Sequence, residues 1–222
     1  KDIYPNYEAL VYENKSYTNT PRFNDQDSRT KLDLKELAIA TQEPKHFGIS
    51  VAITDTWAIV ACVYSYIGSK AFIYGKTQGG NGWIKNPVST LSLSSLESPD
   101  LSVSITDNWA IVGGVFTGTA PDTSYKAHIY KQNNGTWNAH PNIFLEAKSS
   151  EEKFGTSVDI TDEWAIVGSS NDNRAYIFEN KMGVWNEAGE ELKRTDNFGT
   201  SVAIKGNFAI IGYGSNTKKP SI

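Results

Sequence analysis

The sequence predicts an all-β protein assembled from four-stranded antiparallel units. Three observations carry that prediction: a string that recurs four times, tryptophans confined to two columns of the repeat, and strands that are apolar at consecutive positions. The recurring segments align without gaps from Phe47 (FGISVAITDTWAIVA), Pro99 (PDLSVSITDNWAIVG), Phe154 (FGTSVDITDEWAIVG) and Phe198 (FGTSVAIKGNFAIIG), with starts 52, 55 and 44 residues apart. All six Trp fall into the columns Trp57/109/164 and Trp83/137/185, and Phe208 takes the first column's place in the last copy. Runs such as Trp57-Ala58-Ile59-Val60-Ala61 do not alternate as a sheet with one wet face does, so both faces are expected to be buried against neighbours. Small four-stranded sheets stacked at this spacing are the sequence signature of a β-propeller.

Within the first unit the strands follow in order. Ser50–Ile53 leads through Thr54-Asp55 into Trp57–Ala61, with the Asp side chain expected to bond nearby turn backbone. A loop precedes Ala71–Tyr74, matched by Ala127–Tyr130 and Ala175–Phe178. A Gly- and Asn-rich turn then leads to a fourth strand at Trp83 with an apolar tail from Val88 to Leu93. Val, Ile and aromatic residues supply the β preference, and Gly, Asn, Asp and Ser supply the turns. No stretch of the repeats shows a 3.6-residue apolar period; Leu32 to Ala40 looks helical, but it sits where a fourth strand belongs and is read as strand.

The two ends complete one another. Ala9-Leu10-Val11-Tyr12-Glu13-Asn14-Lys15 lies beside Ala175-Tyr176-Ile177-Phe178-Glu179-Asn180-Lys181, so the chain begins at strand 3 of a unit, and Phe198 to Gly212 supplies strands 1 and 2. The expected division is a half-blade at 1–45, blades at about 46–98, 99–152 and 153–197, and a half-blade at 198–222. Joining the halves gives a four-bladed ring and hides two sheet edges. Pairing of two chains into a larger ring, or an excerpt from a longer propeller, stay open beside it.

The string F-G-x-S-V-x-I-x-x-x-[WF]-A-I-[VI]-[GA], with its A-x-[IV]-[YF] and G-x-W strands, resembles the FG-GAP repeat of bacterial type, related to the integrin-α propeller. The resemblance covers about Phe47 to Gly212, and the copy at Pro99-Asp100 departs from Phe-Gly. It implies an extracellular or surface module that binds proteins or glycans. Some relatives carry a D-x-D-x-D-G calcium loop; this sequence has none, and Asn171-Asp172-Asn173 lacks its ligand count and Gly turn, so no calcium or other cofactor is carried over.

Composition narrows the remaining classes. With 21 basic and 25 acidic residues the net charge is −4, which supplies no excess of positive charge for nucleic acid or a polybasic membrane contact. No apolar stretch reaches ~18 residues, the length of a spanning helix. Cys62 is the one cysteine, which excludes an intrachain disulfide and a thiolate zinc site. Lys1 opens the chain without a signal-peptide pattern, so a processed or cut-down chain is expected, with any targeting segment outside it.

Enzyme chemistry has little to stand on. His46, His128 and His140 lack metal-ligand spacing, there is no G-x-S-x-G, and Gly79–Gly82 joins two strands rather than opening a helix. Asp55, Asp107 and Asp162 recur at one position, which reads as turn chemistry before it reads as a metal ring. The Trp83/137/185 column would stack on sugars if exposed and pack between outer strands if not. Cys62 is expected to be buried and inert.

Binding is expected in the variable strand 2–3 loops, which share a face with the strand 4–1 connections in propellers, because loops on a rigid scaffold carry function. Tyr64, Tyr66, Phe116, Tyr125 and Tyr213 put aromatics there, with Asp122, Asn171, Asp172 and Arg174 as polar company. The bland alternative is that the tyrosines cap the ends of the sheets. The expected activity is non-catalytic recognition of a protein partner; a lectin with sites between blades and a structural segment of a larger surface protein, including a homo-oligomer, are the alternatives.

Overall fold

A computed structural model describes residues 8–12, 29–33, 44–64, 68–80, 82–93, 101–117, 123–146, 153–189 and 191–214. These residues form strands arranged in five antiparallel sheets. β1 (Glu8–Tyr12) pairs with β2 (Arg29–Asp33), Ala9 lying opposite Leu32. The first four-stranded sheet runs in chain order through β3 (Pro44–Ile53), β4 (Trp57–Tyr64), β5 (Gly68–Gly75) and β6 (Ser89–Ser92). The second contains β7 (Ser102–Ile105), β8 (Trp109–Thr117) and β9 (Thr123–Asn133), with β10 (Thr136–Trp137) and β11 (Ile143–Glu146) both on β9. The third repeats this with β12 (Phe154–Ile160), β13 (Trp164–Ser169), β14 (Arg174–Lys181), β15 (Val184–Glu187) and β16 (Leu192–Lys193). Among the described residues, β17 (Ser201–Lys205) and β18 (Phe208–Gly212) pair only with each other.

Two boundaries differ from the sequence reading. Trp83 forms a single bridge to Lys76, and the ladder of the first sheet's fourth strand lies at Ser89–Ser92. In the other sheets the fourth position is likewise split into two pieces. Pro87 and Pro141 interrupt it in the first two, because proline has no N–H to give a ladder, and Gly189 at φ 78° turns the chain in the third. The outer strand expected at Leu32 to Ala40 begins earlier, at Arg29, and residues 34–43 lie outside the described ones.

The consecutive apolar residues do face two neighbours. In β4, Ile59, Ala61 and Val63 pack toward the second sheet, and Ala58, Val60, Cys62 and Tyr64 pack toward β1–β2 through Leu32 and Val11. In β8, Ala110 and Val112 face the first sheet while Trp109 and Ile111 face the third. β13 repeats the division, with Ile166 turned to Val202 and Ile204 of β17. Each of the three larger sheets is therefore a layer between two others, and burying both sides of its central strand holds the stack together.

The tryptophan columns are two halves of one contact. Trp57 meets Trp137 of the next sheet edge-on at 5.7 Å, and Trp109 meets Trp185 at 5.6 Å. Trp83, Trp137 and Trp185 are buried. The aspartate column is also a device between sheets, which corrects its reading as a local turn acceptor. The turns are capped by threonine: Thr54 Oγ1 accepts from Trp57 N–H (3.0 Å), Thr106 Oγ1 from Trp109 N–H (2.9 Å) and Thr161 Oγ1 from Trp164 N–H (2.9 Å). The Asp side chain instead reaches the preceding sheet, Asp107 accepting from Thr54 Oγ1 (2.9 Å) and Asp162 from Thr106 Oγ1 (2.7 Å).

Candidate functional site

Strand 2–3 and strand 4–1 connections meet at one end of the third sheet. Ser170–Asp172 forms a 3-10 turn after β13, and Asn173 follows it in the left-handed region at φ 56°. That turn holds the 4–1 connection: Arg194 N–H donates to the Asn173 carbonyl (3.1 Å), and Asn197 N–H donates to Asn173 Oδ1 (2.6 Å). The C-terminal hairpin joins the same end, Gly214 N–H bonding to Asp196 O (2.8 Å) and Asn197 Nδ2 to Gly214 O (3.0 Å).

Four of the expected residues are brought together here. Asn171 is exposed; Asp172 Oδ2 accepts from Ser169 Oγ (2.7 Å), which fixes the turn. Arg174 Nε lies 3.3 Å from Glu191 Oε2, and Tyr213 stands at the rim, well exposed. Between β16 and the C-terminal hairpin is a cleft of about 350 Å³ lined by Leu192, Lys193, Arg194, Phe198, Ile211 and Tyr213. Phe198 is buried at its base, while Lys193 and Arg194 are exposed. Glu191 Oε1 is 3.8 Å from Lys193 Nζ. The lining offers cationic donors, a phenol and apolar surface: groups that bind.

The other expected residues go elsewhere. Tyr64 is 4% exposed, packed with Phe72 and Tyr74 on the side toward β1–β2, which removes it from any partner surface. The reason is strand length: β4 runs on to Tyr64, opposite Gly68, so this tyrosine is still a strand residue rather than a loop residue. Tyr125 is half-buried in β9 opposite Val115 and packs against the core between the second and third sheets. Phe116 lies in β8 opposite Ser124, where strands and not a loop form the 2–3 connection's base. Tyr66 and Asp122 lie outside the described residues. The cleft residues Leu192, Lys193, Arg194, Phe198 and Ile211 were missed. Their signal was the basic doublet Lys193-Arg194, in the 4–1 connection of the most closely spaced pair of repeats.

The remaining chemistry-bearing groups sit in packing positions. His128 is buried edge-on to Phe144 at 4.8 Å, in the column that holds Phe72 and Tyr176. Burial first, then the charge of Lys126, lowers its pKa to about 4. Cys62 is buried, and desolvation raises its thiol to about 12, against smaller opposing effects of Tyr64 and Lys70. Among the described residues no group of three or more His, Cys, Asp or Glu is placed to hold a metal ion, and no helix is long and apolar enough to cross a membrane. No protein-family model matches the chain, and no curated protein matches it.

Proposed function

We propose that the chain is a non-catalytic recognition module of β-propeller type, its stacked sheets being FG-GAP-like blades, and that it binds a protein partner at the cleft beside Tyr213. The extracellular or surface setting belongs to this proposal, through the FG-GAP resemblance alone. One observation carries the binding reading. The 2–3 turn of the third sheet, the 4–1 connection and the C-terminal hairpin are hydrogen-bonded into one rigid end around an open cleft. Loops fixed on a packed scaffold pay little ordering entropy when a partner docks.

Lys193 and Arg194 beside Phe198, Ile211 and Tyr213 suit a segment that offers a carboxylate next to an apolar or aromatic side chain. The lectin reading is the weaker one, because the Trp83/137/185 column that would have supplied sugar platforms is buried. A four-bladed ring closed by the two terminal halves is the compact form this fold would take, and it competes with the pairing developed below.

Selection of a random displayed peptide library on the folded chain tests the site. Enriched peptides are expected to combine acidic and aromatic residues and to lose binding at least tenfold to Arg194→Glu or Tyr213→Ala. Peptides that bind both variants like the parent would place recognition elsewhere, and a glycan array positive with those variants would favour the lectin.

A further inference from the structure

One interface is built three times in this chain. Val103 N–H donates to Ser50 Oγ (3.0 Å), Val158 N–H to Ser102 Oγ (3.1 Å) and Val202 N–H to Ser157 Oγ (2.9 Å), each valine belonging to the sheet after its serine. The inner-strand pairs Val103/Ile105, Val158/Ile160 and Val202/Ile204 are thereby buried on the preceding sheet. Ile59, Ile111 and Ile166, at one column of strand 2, are fully covered.

Both ends of the stack carry an unused half of that interface. On β3, Val51 and Ile53 hold the inner-strand positions and are 59% and 57% exposed. On β18, Ile210 holds the strand 2 column and is 71% exposed, and Phe208, in the tryptophan column, is 83% exposed. The smaller elements match as well. Ser201 stands where Ser50, Ser102 and Ser157 accept, and Lys205 stands in the column of the donors Thr54 and Thr106. Asp55 stands in the column of their acceptors Asp107 and Asp162, and among the described residues no threonine of a preceding sheet donates to it, so a lysine is offered to an aspartate.

Glycines give independent support. Gly155 and Gly199, from Phe-Gly, turn at φ 95° and φ 94° and press on the strand 2 residues Gly113 and Gly168, where a Cβ would overlap the carbonyl oxygens of Gly155 and Gly199. Where strand 2 carries Ala61 in that column, the next copy has Pro99-Asp100 in place of Phe-Gly. The last copy ends in Gly212 and the first opens with Phe47-Gly48, the matched combination, yet Gly48 (φ 85°) has nothing within 4 Å of its Cβ position. The strand register agrees: Ala61, Gly113 and Gly168 lie opposite Ala71, Ala127 and Ala175, which sets Gly212 opposite Ala9 and Ile210 opposite Val11.

We infer that the C-terminal hairpin of one copy covers β3 and extends the β1–β2 sheet of a second copy, and that the reciprocal contact closes a two-chain ring. A second copy is the occupant because, among the described residues, a single chain leaves β1–β2 and β17–β18 as separate two-stranded sheets with these faces open. The contact is heterologous, so a pair closes only if both ends engage. β18 adds to the edge of β1 as an antiparallel strand. Ser201 accepts from Val51 N–H, and Lys205 pairs with Asp55. This pairing is independent of what the cleft binds.

Sedimentation and light scattering of the whole chain read the result as mass, with twice the 24.5 kDa chain expected. Val51→Asp or Ile210→Asp should each return it to one chain with an unchanged far-UV spectrum, whereas Val184→Asp, at an exposed site away from both ends, should not. Lys205→Glu and Asp55→Lys should each weaken self-association about threefold and together restore it. Under mild oxidation, a mixture of Val11→Cys chains and Ile210→Cys chains should give a covalent two-chain product. A single-chain mass for the parent, a link formed inside one chain carrying both cysteines, or an open-ended polymer each overturns the proposal.

Discussion

His128 shows how one residue sets the acid limit of a sheet. Its neutral ring fits between Phe144 and Tyr130 in a column otherwise filled by aromatics, and burial holds its pKa at about 4. The unfolded chain titrates the same ring near 6.5, so between those values the unfolded state binds the extra proton and stability falls as pH drops from about 6.5 to about 4. The ceiling on that loss is about 3 kcal/mol, since each pKa unit is ~1.4 kcal/mol. His128→Phe is expected to remove most of this acid sensitivity while leaving stability at pH 8 nearly unchanged; urea midpoints at pH 8 and pH 5 measure both. The packed histidine was readable from its column, because Phe72 and Tyr176 stand where it stands. Its neighbour Phe144 was not, since it comes from β11, beyond a proline-broken connection whose length varies between sheets.

At the scale of the element, the Thr-Asp turn does two jobs. Thr106 caps its own turn and donates to Asp162 of the next sheet, and Asn108 Nδ2 adds a second bond to that carboxylate (2.9 Å). Thr106→Ala loses the cap and the staple together. It should cost about 1–2 kcal/mol, and a double-mutant cycle with Asp162→Ala should return a coupling energy of at least ~0.5 kcal/mol. Coupling near zero would reduce the pair to two independent turn residues. The recurrence of Thr-Asp was plain in the sequence, but a repeat alignment lays equivalent residues over one another and hides contacts from one copy to the next. The same blindness applied to the tryptophans, whose two columns were legible as columns and not as partners. Tyr64 was misplaced for a related reason: strand ends depend on how far pairing persists, and β4 keeps its partner through Gly68.

For the whole molecule, the layering was legible because consecutive apolar residues in strand 2 admit only a sheet buried on both faces. The cleft was legible only in part. Sequence variation pointed to the end of the third sheet where the cleft lies, but Phe198 and Ile211 read as repeat residues, and it is the hydrogen bonds of Asn173 to Arg194 and Asn197, with those of Gly214 to Asp196 and Asn197, that draw their segments to the loops.

The glycine pairs between sheets also act as a compatibility code for recombination. Excising 154–197 would set Phe198-Gly199 on Gly113, a permitted joint. Excising 99–153 would set Gly155 on Ala61, whose Cβ takes the place where Gly113 must be bare. The first deletion should leave a cooperatively melting chain. The second should melt well below it or fail to fold, and Ala61→Gly should recover it. Thermal melts of the three variants measure this, and an equal melt for the two deletions would refute the code. Where a repeat protein can gain or lose a unit is then decided by single methyl groups at the seams, so its history of duplication is confined to the seams that match.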